Sequence, residues 1–272
     1  MRFFSPGERR AWRAARVTAV TEMTRTGHLI SPLIMLVTQV LLTWWLWRAL
    51  YAGVTVSAGL DVRQATTYAL LGVLYIRFRL ANRWMNGDSV MQLVLDGTIA
   101  YWFLRPVPPR RYYLIRAVGD LAYGAVWAVA GYAVCLGLGM IDGPASAAAG
   151  AAAFGTLALG LVILYYLQLG VDLMCFWTVV NGNAVTAVQF LQNLLSGAFA
   201  PLWFFPSWFQ RADGLLPFQA TLNVPLSLYI GRLPVSAVPG QLAVEAVWCA
   251  ALAAGTWWLW RKASARVTVL GG

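Results

Sequence analysis

Long apolar runs alternate with short polar breaks along the chain, and the runs are long enough to cross a bilayer. A membrane-spanning helix needs about 20 mostly apolar residues. Runs of this kind predict six transmembrane helices, at about residues 29–50, 64–80, 121–141, 145–173, 185–202 and 242–260. The first run ends in a cluster of tryptophans beside Arg48, which is typical of the membrane interface. The pattern predicts an all-α integral membrane protein, with residues 1–272 as a single transmembrane domain.

Two segments on the basic side of the predicted bundle have patterns of their own. Residues 1–28 form a basic arm that predicts an amphipathic helix lying on the membrane surface; a basic tail without regular structure is the alternative. Residues 82–117 form a connection rich in large apolar side chains, with a helical stretch broken by Pro106 and Pro108. An apolar segment outside the membrane must be buried against its own bundle or a partner protein.

A third segment, residues 204–239, precedes the last predicted span and is rich in prolines and aromatic residues. Aromatic side chains are enriched at the level of the lipid headgroups. The segment therefore predicts a hairpin that enters the outer leaflet again, and an ordinary extracellular loop is the alternative. The residues that define it are Pro206, Trp208, Pro217 and Phe218.

Composition supports the membrane assignment, and charge gives an orientation. Hydrophobic residues make up 60% of the chain and charged residues 11%, against about 25% in soluble proteins. The chain has 20 basic and 10 acidic residues. With both termini cytoplasmic, the only basic residues outside are Arg48, Arg63, Arg211 and Arg232. Because cytoplasmic loops carry the excess of Lys and Arg, the sequence predicts cytoplasmic N and C termini, with residues 82–117 inside.

Candidate enzyme chemistry is sparse in the sequence. There is one histidine, His28, and the three cysteines are widely spaced within apolar runs. No phosphate-binding P-loop, zinc motif or nucleophile elbow is present, so we expect no catalytic, cofactor-binding or metal-binding residues. Three carboxyl groups, Asp120, Asp172 and Glu245, lie at or near the ends of predicted helices. Ionisable residues within a membrane are candidates for function, but the sequence assigns these three no role.

Two ordered motifs resemble a known family over essentially the whole chain. Asp96-Gly97-Thr98-Ile99 followed by Leu104-Arg105-Pro106-Val107 is similar to the family's stretch around a cytoplasmic coupling helix. Ser196-Gly197, Pro206-Ser207-Trp208 and Leu216-Pro217-Phe218 are similar to the stretch after its fifth span. The chain thus resembles the permease subunit of ABC-2 type (type V) ABC exporters, of the branch of paired daunorubicin-exporter-like permeases. It departs from many members at Ala100, where they carry an acidic residue.

The resemblance implies a bacterial inner-membrane exporter whose ATP and Mg²⁺ bind to separate ATPase subunits. It also implies a second permease, in a heterodimer or a homodimer. Residues expected to couple the permease to the ATPase are Leu93, Leu95, Asp96, Gly97, Thr98, Leu104, Arg105 and Pro106. Candidates for the translocation path, which would suit amphipathic or lipid-like cargo, are Gln39, Trp44, Trp47, Gln189 and Gln192. The alternatives are an ATP-independent transporter or channel and a membrane scaffold.

Overall fold

The computed structural model of the chain describes residues 26–53, 56–57, 59–79, 93, 96–104, 107–177 and 182–270. The predicted amphipathic helix of the arm falls almost entirely outside these ranges. Three residues of the expected coupling segment, Leu95, Arg105 and Pro106, also lie outside them.

The described residues are mostly helical. In chain order, the helices are α1 (Thr26–Leu50), α2 (Val62–Arg79), α3 (Ala100–Phe103), α4 (Pro109–Gly137), α5 (Ala147–Met174), α6 (Gly182–Leu195), α7 (Ser207–Asp213), α8 (Phe218–Thr221), α9 (Asn223–Tyr229) and α10 (Val238–Leu270). Short 3₁₀-helices cover Leu202–Phe204 and Val235–Ala237. A small antiparallel hairpin of β1 (Val56–Ser57) and β2 (Leu60–Asp61) joins α1 to α2.

Four segments in the described part of the chain are long and apolar enough to cross a membrane. They lie in α1, α4, α5 and the final helical segment, at Leu33–Leu50, Pro109–Gly137, Ala147–Met174 and Val235–Ser264. These four correspond to the first, third, fourth and sixth predicted spans. The prediction of an all-α protein with several membrane-spanning helices is therefore confirmed.

The second and fifth predicted spans are helical but are not among these four. The second corresponds to α2, which has 18 residues, and the fifth to α6, which has 14. At 1.5 Å per residue, α6 is roughly 21 Å long, which is shorter than the apolar core of a bilayer. It ends where Gly197 turns the chain with a φ of +81°. The count of six spans thus remains a prediction.

Two helix boundaries differ from the expected ones. The predicted third span started at residue 121, but α4 begins at Pro109, because proline at the first helical position already has the φ that a helix needs. The final residues of the expected coupling loop, 109–117, are therefore the start of a long helix. The last helix runs to Leu270 and not to residue 260.

The helices pack in two groups. In one group, α2 lies between α1 and α4. In the other, α5 packs against α10 and against the short helices α8 and α9. The core of the first group consists of Leu36, Val40, Leu70, Leu71, Leu74, Cys135 and Ile141.

The segment before α10 enters the bundle to a considerable depth. A Cβ atom added at Gly160, in the middle of α5, would lie 2.2 Å from the backbone oxygen of Ala220 in α8. Gly160 is 13 residues, or roughly 20 Å, from the start of α5. Leu222 and Leu228 beside this contact are fully buried. The segment around α8 thus packs against the middle of α5, and a hairpin that enters the membrane again stays a prediction.

Candidate functional site

The short helix α3 follows a turn that requires glycine. Gly97 has a φ of +69°, which L-residues rarely adopt, although the space around its Cα is open. After this turn, the N–H of Ile99 donates to the backbone oxygen of Leu93 at 2.9 Å. The hydroxyl of Thr98 donates to the same oxygen at 3.4 Å. The turn thus brings four of the expected coupling residues together, with the exposed Asp96 beside Gly97.

The inner face of α3 packs on the chain's own bundle. Ile99 and Trp102 are 8% and 4% exposed. The Trp102 ring meets Tyr112 edge to face at 5.0 Å, and the Arg116 guanidinium lies 5.5 Å from the Trp102 ring centre. The residues buried around them come from α4, from α5 and the turn that follows it, and from α10: Tyr113, Leu169, Leu173, Cys175, Phe176 and Ala263. The bundle is thus what covers Ile99 and Trp102.

The outer edge of α3 remains exposed. Leu104 is 79% exposed and Tyr101 is 64% exposed. These two side chains lie one and two positions from the buried Trp102. At one end of the bundle there is therefore a short helix whose inner face is packed against other helices. Its outer edge is apolar and exposed.

A buried polar network lies beneath α3. Asp172, near the end of α5, accepts a hydrogen bond from the Tyr113 hydroxyl of α4. Its other carboxylate oxygen accepts a bond of 2.9 Å from the Gln168 side chain. Hydrogen bonds to both oxygens offset the cost of burying a carboxyl group. Asp172 therefore has a definite structural role, which is to join α4 to α5 at the end that carries α3.

The expected path residues lie on two separate parts of the bundle. Gln39, Trp44 and Trp47 are on α1, which packs against α2. Gln189 and Gln192 are on α6, which packs against α5 and α8, and Gln192 is buried. The Trp47 ring centre lies 6.0 Å from that of Phe204, in the segment that follows α6. In the described part of the chain, α1 and α6 are not a major packing pair, and a path lined by both sets stays a prediction.

The prolines of the expected hairpin start its short helices. Pro206 and Pro217 immediately precede α7 and α8. Pro217 is buried and Phe218 partly buried, whereas Trp208 is 68% exposed.

Asp213 is a buried carboxyl group in the hairpin that the sequence analysis did not single out. It ends α7 and is 1% exposed. Burial raises its pKa to about 6, and the nearby Gln219 side chain offsets this only in part. Its position after Arg211-Ala212 looks solvent-exposed in the sequence, and burial arises only from the folding of the segment.

Glu245 lies deeper than its sequence position suggests. It was expected near a helix end, but α10 begins at Val238, so Glu245 is roughly 10 Å along the helix. It is 1% exposed, and its carboxylate oxygens have no hydrogen-bond partner among the described residues. Asp120 is likewise about three turns inside α4. Both helices begin before the apolar runs that predict them, so both carboxyl groups lie farther from the helix start than the runs indicate.

Comparison with known proteins assigns the chain to a family. Residues 33–271 match the family model described as "ABC-2 family transporter protein". Neither the curated proteins nor the solved structures include a significant match. The family match covers most of the chain, and it agrees with the four described segments that can cross a membrane. The chain therefore belongs to the ABC-2 family of transporter proteins, as a transmembrane permease component that is not itself the ATPase.

Proposed function

We propose that the chain is one of two permeases in an ATP-driven exporter, and that it binds separate ATPase subunits through α3. The observation that carries this proposal is the exposed apolar edge of α3, formed by Tyr101 and Leu104 on a helix whose inner face is buried. Burying one leucine is worth about 1.5–3 kcal/mol, so this edge can contribute substantially to docking.

The support beneath α3 fits a role in transmitting force. Trp102 contacts Tyr112 at the start of α4, and its cluster includes residues of α5 and α10. A displacement of α3 by the ATPase would therefore be passed to three long helices at once. The Tyr113–Asp172 hydrogen bond keeps α4 and α5 together during that movement.

The translocation path in this proposal is the seam between two permeases. The candidates lie on two helices, α1 and α6, and in this proposal a second permease completes the path that they line. Both helices offer large apolar side chains for such a seam, such as Leu42, which is 65% exposed, and Phe190, which is 55% exposed. An apolar surface with scattered amide groups suits amphipathic or lipid-like cargo.

The finer features of the proposal follow the sequence resemblance. They are six spans, cytoplasmic termini, a bacterial inner membrane and the paired daunorubicin-exporter-like branch with a distinct second permease. Native mass measurement of the purified complex tests the assembly. We expect two permeases and two ATPase subunits, and a stable monomer active in transport would contradict it.

The decisive test of coupling is co-purification of the ATPase with L104D in mild detergent. A charge placed in an apolar docking groove without a partner is strongly unfavourable. We expect at least about a tenfold loss of bound ATPase. The matched control is L138D, because Leu138 is 71% exposed just beyond the opposite end of α4. The proposal is wrong if both variants keep the ATPase equally well.

An ATP-independent carrier is the second candidate, and Glu245 is the observation that favours it. A buried carboxyl group without a described hydrogen-bond partner could carry a proton across the membrane. The test is transport by the permease alone in vesicles with a pH gradient. Uptake that needs no ATPase and is abolished by E245Q would support the carrier, whereas uptake only with ATPase and ATP supports the exporter.

A further inference from the structure

A polar cavity of about 230 Å³ lies at the end of the first helix group opposite α3. Three parts of the chain form it: the last turns of α1, the first turns of α2 and the segment that follows α4. Residues of the cavity that carry the argument are Trp44, Arg48, Arg63, Thr66, Thr67 and Asp142. None of them has a place in the coupling site described above.

The cavity contains two guanidinium groups and one carboxylate. Arg63 forms an ion pair with Asp142, with 2.6 Å between Nη2 and Oδ1. The Arg48 guanidinium lies 4.4 Å from the centre of the Trp44 ring. Among the described residues, Arg48 has no carboxylate partner. The cavity therefore has a net charge of +1 and one arginine whose charge is not neutralised.

The wall that holds Asp142 is fixed by hydrogen bonds. The Asp142 N–H donates to the Thr67 hydroxyl at 3.1 Å, and the Tyr229 hydroxyl donates to the Asp142 backbone oxygen at 3.0 Å. The buried Thr66 hydroxyl donates to the Val62 backbone oxygen at 2.6 Å within α2. These bonds hold Asp142 in place, and the ion pair from Asp142 orients Arg63, so less entropy is lost when Arg63 binds a ligand.

We propose that this cavity binds the phosphate group of a lipid headgroup or of a free phosphate ester. Arginine is suited to this ligand because its planar fork of N–H donors matches phosphate oxygens. The depth also fits, since the tryptophans at the end of α1 mark the level of the headgroups. Two of the four basic residues expected on this side of the membrane line the same cavity. The proposal does not depend on the transport function.

The test is native mass spectrometry of the purified permease, titrated with phosphatidylglycerol or with diacylglycerol, which lacks the phosphate. We expect retained phosphatidylglycerol to exceed retained diacylglycerol. R48A should lower the affinity for phosphatidylglycerol by about tenfold, because it removes one charge-assisted contact to the phosphate. The matched control is R211A, which removes an exposed arginine outside the cavity and should change nothing.

A second variant tests the site without removing a cation. D142N releases Arg63 from its ion pair, so the affinity for phosphatidylglycerol should rise. Displacement of the lipid by inorganic phosphate would show that free phosphate is also a ligand, and no displacement would assign the site to lipid. The proposal is overturned if R48A binds like the wild type, if diacylglycerol binds as tightly as phosphatidylglycerol, or if D142N lowers the affinity while its thermal stability is unchanged.

Discussion

Asp172 and Glu245 show how differently two buried carboxyl groups can be accommodated on long apolar helices. Asp172 accepts hydrogen bonds from Tyr113 and Gln168, so both of its carboxyl oxygens have donors where it is buried. Glu245 has no such partner in the described part of the chain. The first is therefore a structural link between helices, whereas the second is a group on which a carrier mechanism could act.

The first prediction at the residue scale concerns this link. D172A removes the acceptor of the hydrogen bonds from Tyr113 and Gln168, and removing one partner of a buried hydrogen bond costs about 1–3 kcal/mol. We expect D172A to lower the unfolding temperature in detergent clearly. D172N is the matched control, since an amide can still accept from Tyr113, and it should lower the temperature less. Equal stability of D172A and the wild type would contradict the link.

The second prediction concerns pH and Asp213. The pKa of this carboxyl group is about 6 in the folded protein, above its ordinary value of 3.8, because it is buried. The folded state therefore binds its proton more tightly than the unfolded state does. The contribution of Asp213 to stability is most favourable below pH 3.8 and is lost as the pH rises to 6.

The variant D213N measures this effect, since it cannot ionise. Near pH 3.8, the ordinary pKa of the carboxyl group, we expect the unfolding temperatures of wild type and D213N to be similar. Above pH 6, the pKa in the folded protein, D213N should be the more stable protein. R211A serves as a control for removal of a charge two residues away, and it should not reproduce the trend. A difference between wild type and D213N that does not grow with pH would contradict the assignment.

At the scale of elements, the contact between α5 and α8 determines how deep the hairpin lies. Gly160 has no side chain, and this allows the backbone of Ala220 to approach the axis of α5. Close approach of this kind is the usual reason for small residues on membrane helices. The depth of the hairpin thus depends on one position in the middle of a 28-residue helix.

The prediction at this scale is that G160A disrupts the docking of the hairpin. Its new Cβ would lie 2.2 Å from a backbone oxygen, so one of the two elements must move. Overpacking of this kind costs about 1–3 kcal/mol, and we expect a lower unfolding temperature. The matched control is G155A on the same helix, where nothing lies within 4 Å of the added Cβ. The packing account fails if the two variants are equally stable.

At the scale of the whole molecule, the two ends of the bundle have different chemistry. One end carries α3 with its exposed apolar edge and the first turn of α4 with Arg110 and Arg111. The other end carries the cavity lined by Arg48 and Arg63. From the positive-inside rule, we expect the α3 end to face the cytoplasm.

The prediction at this scale is tested by cysteine labelling of intact cells with a reagent that does not cross the membrane. In a background without Cys135, Cys175 and Cys249, L215C should be labelled from outside and L104C only after the cells are opened. Both positions suit the test because Leu215 is 75% exposed and Leu104 is 79% exposed. Labelling of L104C in intact cells would reverse the orientation.

The sequence by itself determined that the chain is an all-α membrane protein and where its long apolar helices lie. These follow from a local rule, because an apolar run must leave water. The helix ends were less predictable, since α4 and α10 continue beyond their apolar runs into polar sequence that a bundle can still support.

The tertiary structure decided which apolar and ionisable residues are buried and which residues meet. In the sequence, Ile99 and Trp102 look as exposed as Leu104. They are buried and Leu104 is not, because only they pack against the cluster that α4, α5 and α10 form. The burial of Asp213, the depth of Gly160 and the pairing of Arg63 with Asp142 depend on contacts between distant parts of the chain. Such contacts leave no periodic signal in the sequence. The spacing of residues along a helix shows which of them share a face, but it does not show which other element packs against that face.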